Sequence, residues 1–498
     1  MEMDFKKTAI PGYRMPLCQV QTTELTQDLR LSESDGDIGN ILGCWGQILL
    51  RSKEWMGDGV SVSGGIMAWI LYLPDEGSVP VKVETWMPFQ MKWDMQDVRH
   101  DGNLLVIPTL KNIDARNVSA RKMIVRANIS ILAQAVEPVD AFIYQPESIP
   151  ADVYMKKDTL PMEIPCEAGE MAFQIDEDLA LQNGQPPVNK IMYYHFEPVI
   201  TESRIVSDKL LFRGKLNLHL LYLSENGSFH TWEGETGFSK YTQLNKEYGS
   251  SSSVRIIPVL TGAEIDPQTN QIMIKASVAA QYMIYDRIMV ESVSDAYSTI
   301  RDVSVEMDKM QMMTRLDSME KTIETETVSP LNPQRILDIR CYHGHPNTRR
   351  NGDDLECEMM CTYQILSMDE SGILQGHILR SDDQFQIPSD SENLMCLYSG
   401  IPSEIEIFPE GDGIRVKSSM QIQCDTFCSN GIEMVSGLKV GEAQEPDPTR
   451  PSIILRQVAD EQLWDLAKLC GSSVNLIQEA NHLQAEPQPG QILLIPIL

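Results

Sequence analysis

The chain has 498 residues, with 41 Lys plus Arg against 71 Asp plus Glu and a formal net charge of −30. That length exceeds one core and predicts roughly three or four domains, and the charge repels nucleic acid, anionic lipid and teichoic acid at long range. Ten cysteines without the density of a disulfide scaffold, an N-terminus without an apolar export region and the absence of any stretch near the ~18 apolar residues of a membrane span all point to a soluble, cytoplasmic protein with reduced thiols.

In chain order, the first clear element is VSVSGGIMAWILYLPDEG, Val60 to Gly77, an apolar strand closed by an acidic turn that ends in glycine, as a hairpin requires. Gly64-Gly65 within it reads as a bulge or twist rather than a phosphate cradle. Strands follow over Asn103–Leu110 (NLLVIPTL) and Met123–Leu132, and the segment ends in Val139-Asp140-Ala141-Phe142.

The same plan returns 150 residues later. LLFRGKLNLHLLYLSENG, Leu210 to Gly227, aligns with the first run, Tyr222 with Tyr72 and Pro258 with Pro108; Ser253–Leu260 and Ile272–Tyr282 are the matching strands, and Ser294-Asp295-Ala296-Tyr297 the matching end. A weaker third copy offers LECEMMCTYQILSMDESG, Leu355 to Gly372, then Asn393–Tyr398 and Ile414–Cys424. Period-two alternation rich in Val, Ile, Thr, Tyr and Leu marks half-buried strands. The fold class is therefore mainly β, with three tandem sandwich- or barrel-like repeats over residues 20–150, 170–300 and 320–440. Between the last two, Val303 to Thr327 begins as a strand, and its Met- and Glu-rich remainder reads as strand or helix.

Cys341, His343, His345, Cys357 and Cys361 bring soft ligands into one stretch, but Cys357 and Cys361 share a strand face as core residues do, and Cys424 and Cys428 repeat that spacing. No metal is expected. Asp353-Asp354 and Asp382-Asp383 read as solvated turns. No nucleotide-binding or catalytic motif is present, so no catalytic residue, cofactor or enzymatic role is expected.

A linker, Glu442 to Pro451, whose prolines and charges favour an extended chain, leads to a small module over 452–498. Ile453–Val458 reads as a strand. Asp460 stands where a helix N-cap belongs; Leu463, Leu466, Ala467 and Cys470 then fall on one helical face, and Gly471 closes the helix. Ser473 caps a second helix carrying Val474, Ile477 and Ala480, and after Pro489-Gly490 a last strand runs over Gln491–Ile495. Trp464 lies at the flank of the apolar stripe with Lys468 one turn on, either packed on the rim of the core or exposed as a binding anchor.

This β-α-α-β order over about 45 residues, ending in Pro-Gly-Gln and Leu-Ile-Pro, resembles a LysM module. Members bind N-acetylglucosamine polymers through the loops that correspond to Ala459, Asp460, Glu461 and Gln462 and to Asn481, His482 and Leu483. Here Ala459-Asp460-Glu461 replaces the usual Gly-Asp-Ser or Gly-Asp-Thr, which removes a permissive glycine and a hydroxyl that bonds a sugar amide. The repeats, with Asp295-Ala296-Tyr297-Ser298, resemble SPOCS domains, and the combination resembles the spore coat morphogenetic proteins of endospore-forming bacteria. The resemblance implies a non-enzymatic scaffold of the mother-cell cytoplasm at the forespore surface. Its LysM module would bind a SpoIVA-like coat ATPase of the basement layer, and its repeats other coat proteins. The alternative implied is binding of peptidoglycan or another N-acetylglucosamine-containing glycan. The partner-binding residues expected are those of the two loops, with Trp464 and Lys468.

Overall fold

Alternating apolar and polar residues make strands of nearly all the runs named above. The computed structural model describes every residue except 1, 4, 34, 78, 96–101, 182–183, 269–270, 311, 353, 389–393, 412, 429–431 and 445–449. After a short strand β1 (Glu2–Met3), the first repeat comprises β2 (Phe5–Arg30), β3 (Ile38–Met56), β4 (Gly59–Pro74), β5 (Val81–Asp94), β6 (Asn103–Ser119) and β7 (Lys122–Pro146). Strands β3-β4-β5 form one sheet and β2-β7-β6 the other, all antiparallel. Val62 and Ile66 of β4, Phe89 of β5 and Val125 and Ile129 of β7 meet between them in one core.

The second repeat follows this pattern strand for strand: β8 (Val153–Ala180), β9 (Val188–Val206), β10 (Lys209–Ser224), β11 (Phe229–Gln243), β12 (Ser253–Pro267) and β13 (Gln271–Ser298), in sheets β9-β10-β11 and β8-β13-β12. Next comes β14 (Val303–Met310). The third repeat holds β15 (Thr314–Ser329), β16 (Arg335–His343), β17 (Asn347–Asn351), β18 (Asp354–Met368), β19 (Leu374–Pro388), β20 (Leu394–Glu410) and β21 (Gly413–Cys428). Its second strand is broken into β16 and β17, and β8 touches β15 through one bridge, Arg315 with Glu163. Strand β22 (Ile432–Val440) pairs with both β1 and β14. Each repeat is an open two-sheet sandwich, and among the described residues no barrel closes.

One open reading is resolved and one expectation needs correction. The Met-rich stretch from Val303, left between strand and helix, is strand over Val303–Met310 and from Thr314 onward, as β14 and most of β15, with Met312 and Met313 outside either strand. Asp382 and Asp383 lie inside β19, not in a turn; Asp383 is buried, where it accepts the Cys361 thiol at 3.1 Å and the Ser381 hydroxyl at 2.8 Å. Asp353 and Asn393 lie outside the described residues, as does the central part of the linker, 445–449. Gly64 and Gly65 pair without a break in β4; the bulge here is on the partner strand, where the β3–β4 register shifts between Leu50 and Ser52 opposite Gly64.

Shared side-chain roles explain why the 150-residue period is visible. The Tyr72 hydroxyl donates to the Gly36 carbonyl, and the Tyr222 hydroxyl to the Pro186 carbonyl, at 3.1 and 3.0 Å. A Cβ on Gly64 would meet the Leu49 carbonyl at 2.3 Å and the Phe89 ring at 2.7 Å; on Gly214 it would meet the Val199 carbonyl at 2.3 Å and the Phe238 ring at 2.4 Å. Backbone and ring occupy the space a side chain needs. Gly214→Val is therefore expected to destabilise the protein by about 1–3 kcal/mol, read as a lower urea midpoint at unchanged slope.

The repeats pack on one another rather than hanging as beads. The strand registers skip one residue at Leu42, Met192 and Leu337, a bulge at the same place in each copy, and these three side chains join one apolar cluster with Trp45, Trp69, Tyr193 and Leu366. The second and fifth strands of all three repeats line a cavity of about 540 Å³. Between the second and third repeats the seam is charged. Asp425, fully buried, has Arg255 at 3.3 Å and Arg315 at 3.6 Å. Arg255 also donates to Ser399, and Arg315 to Glu163 and Ser253 while lying 3.8 Å from the Tyr285 ring centre. Nearby, Asp338 accepts from the Tyr193 hydroxyl and pairs with His219 at 2.7 Å. Burial works against the charge on His219, but Asp338 and Glu233 outweigh it and push its pKa up to about 9.

Candidate functional site

The C-terminal module consists of β23 (Ile453–Gln457), α1 (Leu463–Cys470), α2 (Val474–Asn481) and β24 (Ile492–Pro496), with the two strands paired antiparallel. Leu463, Leu466, Ala467 and Cys470 are buried with Ile477, Leu493 and Ile495, as the helical spacing predicts. Gly471 ends α1 at φ 67°, and Ser473 caps α2 by accepting from the Leu476 amide. Ala480, expected on the apolar face, is exposed. The N-cap of α1 is Gln462 rather than Asp460, and no side chain at that position caps the helix. The Glu486 carboxylate serves instead, accepting from the Leu463 amide at 2.8 Å. A carboxylate there also meets the positive end of the helix dipole.

The two expected binding loops are largely satisfied from within the module. Glu461 folds back to accept from the Ala459 amide at 2.8 Å and pairs with Arg456 at 2.6 Å. These contacts hold its carboxyl below the usual range. Asn481 spends its amide on the module itself: its nitrogen donates to the carbonyls of Ile477 and Leu494, and its oxygen accepts from the Leu494 amide. His482 takes the left-handed cap position at φ 54°. Ala459, Asp460 and His482 are exposed and Leu483 is half-buried against the core.

Trp464 and Lys468, one turn apart on α1, face the second repeat. The Trp464 indole nitrogen donates to Asp295 Oδ2 at 2.8 Å, and Lys468 Nζ lies 2.8 Å from both Asp295 oxygens. Burial works against ionisation of Asp295, yet Lys468 and Trp464 hold its carboxyl below the usual range. Tyr297 meets Trp464 edge to face with centroids 4.9 Å apart, stacks on Tyr154 at 5.2 Å, and donates its hydroxyl to the Ser472 carbonyl at 2.9 Å. Gln462 accepts from Lys156 at 3.3 Å. Trp464 is thus half-buried on the rim of the module core, with its indole turned to the second repeat.

Sequence reasoning missed Asp295, Tyr297, Lys156 and Glu486 as participants. Asp295-Ala296-Tyr297 stood out as the shared end of two repeats and as part of the element that resembles SPOCS domains, and nothing local ties it to a helix 169 residues away. The cysteine and histidine stretch serves packing: Cys357 and Cys361 are buried in the third core, and His345 donates to the Ile107 carbonyl across the repeat seam. Among the described residues no three His, Cys, Asp or Glu side chains are grouped to hold a metal, and no helix is long and apolar enough to cross a membrane.

Comparison with known families places names on two of these regions. A family model described as the SipL SPOCS domain matches residues 187–255, from the start of β9 into β12, and one described as the LysM domain matches residues 459–496, from the loop before α1 to the end of β24. Neither the curated proteins nor the solved structures gave a match.

Proposed function

We propose that this chain, which joins a SPOCS domain to a C-terminal LysM domain, is a non-enzymatic adaptor of endospore coat assembly. Its LysM module binds a SpoIVA-like basement-layer protein and so tethers the coat to the forespore surface from the mother-cell side. The division into three repeats over 20–150, 170–300 and 320–440, a linker at 442–451 and a module at 452–498 is part of the same reading. Both matched domains are binding modules, and the repeats offer broad sheets for further coat proteins.

The observation that carries a protein partner is the state of the loops. The polar groups that would meet a sugar are already used, by Glu461 on the Ala459 amide, Glu486 on the Leu463 amide and Asn481 on β24. A ligand would have to break those bonds before making its own. The Trp464–Lys468 face, by contrast, already holds a protein carboxylate.

Co-purification with the SpoIVA-like ATPase from the same genome tests the reading. The full chain should retain the ATPase, and a chain lacking 452–498 and a Trp464→Ala variant should lose it by at least about tenfold, the scale of an aromatic hot spot. Undiminished capture by both variants rejects it. The LysM match itself favours a second reading, recognition of peptidoglycan or another N-acetylglucosamine polymer. Calorimetry of the full chain with chitin oligomers separates the two, since heat at micromolar to millimolar ligand supports the glycan.

A further inference from the structure

The residues assigned to the partner are not vacant. Trp464, Lys468 and Gln462 together contact Asp295, Tyr297 and Lys156 at the end of the second repeat. The contact has a specific chemistry: one carboxylate receives an indole N–H and an ammonium at 2.8 Å each, and an aromatic ring two residues along stacks edge-on to the indole. Charge-assisted bonds of this length are the stronger kind. Strand geometry makes the pairing possible, because Asp295 and Tyr297, separated by one residue, point to the same side of β13.

We infer that the Trp464–Lys468 face of the LysM module is a docking surface for an acidic side chain one residue away from an aromatic ring on an extended segment, and that Asp295 and Tyr297 occupy it from within. An outside partner that presents the same chemistry gains the face only by displacing them. This deepens the adaptor reading and rests on it for the identity of the partner, not for the existence of the surface.

The tether makes the internal occupant a strong competitor. The chain is anchored at Gln444, which bonds to Ile300 and Asp302, and again at Arg450, which donates to the Cys470 carbonyl. A connection this short sets an effective concentration on the order of millimolar. A free segment of equal intrinsic affinity therefore binds poorly until the internal one is weakened. The module is held closed by default, and a multivalent partner or one of higher affinity opens it.

The test uses the full chain and an eight-residue peptide with the sequence of residues 292–299, SVSDAYST flanking included, beside a version with Asp replaced by Asn. Asp295→Asn keeps the shape of the side chain and removes its charge. Amide exchange across residues 463–470 should become faster in this variant, and the acidic peptide should bind it at least about tenfold tighter than it binds the unaltered chain, the equivalent of one charged hydrogen bond. The Asn peptide should not bind. Lys468→Glu should release the module in the same way yet fail to bind the acidic peptide, which separates release from recognition. Affinity for the SpoIVA-like ATPase should rise with Asp295→Asn.

Equal peptide affinity for the unaltered chain and Asp295→Asn, with exchange unchanged, overturns the internal occupancy. Peptide binding by Lys468→Glu overturns the recognition chemistry. If peptide and exchange behave as expected but the ATPase is indifferent to Trp464→Ala, the docking surface stands and the proposed partner falls.

Discussion

Replacing Asp425 with alanine is expected to lower the unfolding free energy by about 3–5 kcal/mol, the scale for leaving buried charges without their partner. Asp425 is fully buried, and Arg255 and Arg315 are 3% and 7% exposed, so both guanidinium groups rely on this carboxylate as a charge partner. Arg315 keeps Glu163, but Arg255 is left with the Ser399 hydroxyl. The loss falls on the seam between the second and third repeats, so a separated transition of the third repeat is expected in chemical denaturation. A combined Asp425→Leu and Arg255→Met variant should regain part of the loss, because an apolar pair carries no desolvation cost. A fall of less than about 1 kcal/mol in the single variant would show that the seam is wet.

The second expectation concerns pH. His219 has its pKa raised from 6.5 to about 9 in the folded state by Asp338 and Glu233, against burial and Arg340. A raised histidine contributes stability that is complete below its unfolded pKa and is lost as pH rises through the folded one. Stability should therefore decline between pH 6.5 and 9, by about 3 kcal/mol at most, since one pKa unit is about 1.36 kcal/mol. Burial prevails instead at His195, pushed well below its usual value, and at His345, pushed down to about 4. A lowered histidine loses its contribution as pH falls, so stability should also decline below pH 6.5. Thermal midpoints across pH 5 to 9 should trace a dome, and Asp338→Asn should flatten its alkaline side; an unchanged alkaline side would show that His219 is not the group responsible.

The repeat was legible where side chains keep equivalent jobs. Tyr72 and Tyr222 make the same bond to a carbonyl 36 residues back, and Gly64 and Gly214 leave room for Phe89 and Phe238. The third copy faded because Ser367, near the place of those tyrosines, turns instead to the Gln375 carbonyl. The core face of α1 was readable from spacing alone, but its start was not, since the capping carboxylate comes from Glu486 and not from the preceding loop. Packing between repeats was invisible because it depends on pairs far apart in the chain. The same cause hid the purpose of the methionines: Met162, Met310, Met312 and Met434 gather where the first repeat, the second repeat and the β14–β22 ribbon meet. An unbranched thioether adapts to irregular surfaces that β-branched residues cannot fill.

The pairing of β1 with β22 sets a timetable for the growing chain. Residue 3 finds its strand partner only at Leu438, and β22 also holds β14, so this ribbon stays open until the three repeats have left the ribosome. At about 5–20 residues per second that interval lasts from about twenty seconds to more than a minute. During it, Met3 and the exposed backbone beside β14 offer edges to other nascent chains. The LysM module emerges after the ribbon can close, so Asp295 and Tyr297 on the second repeat are in place before the helix face they contact.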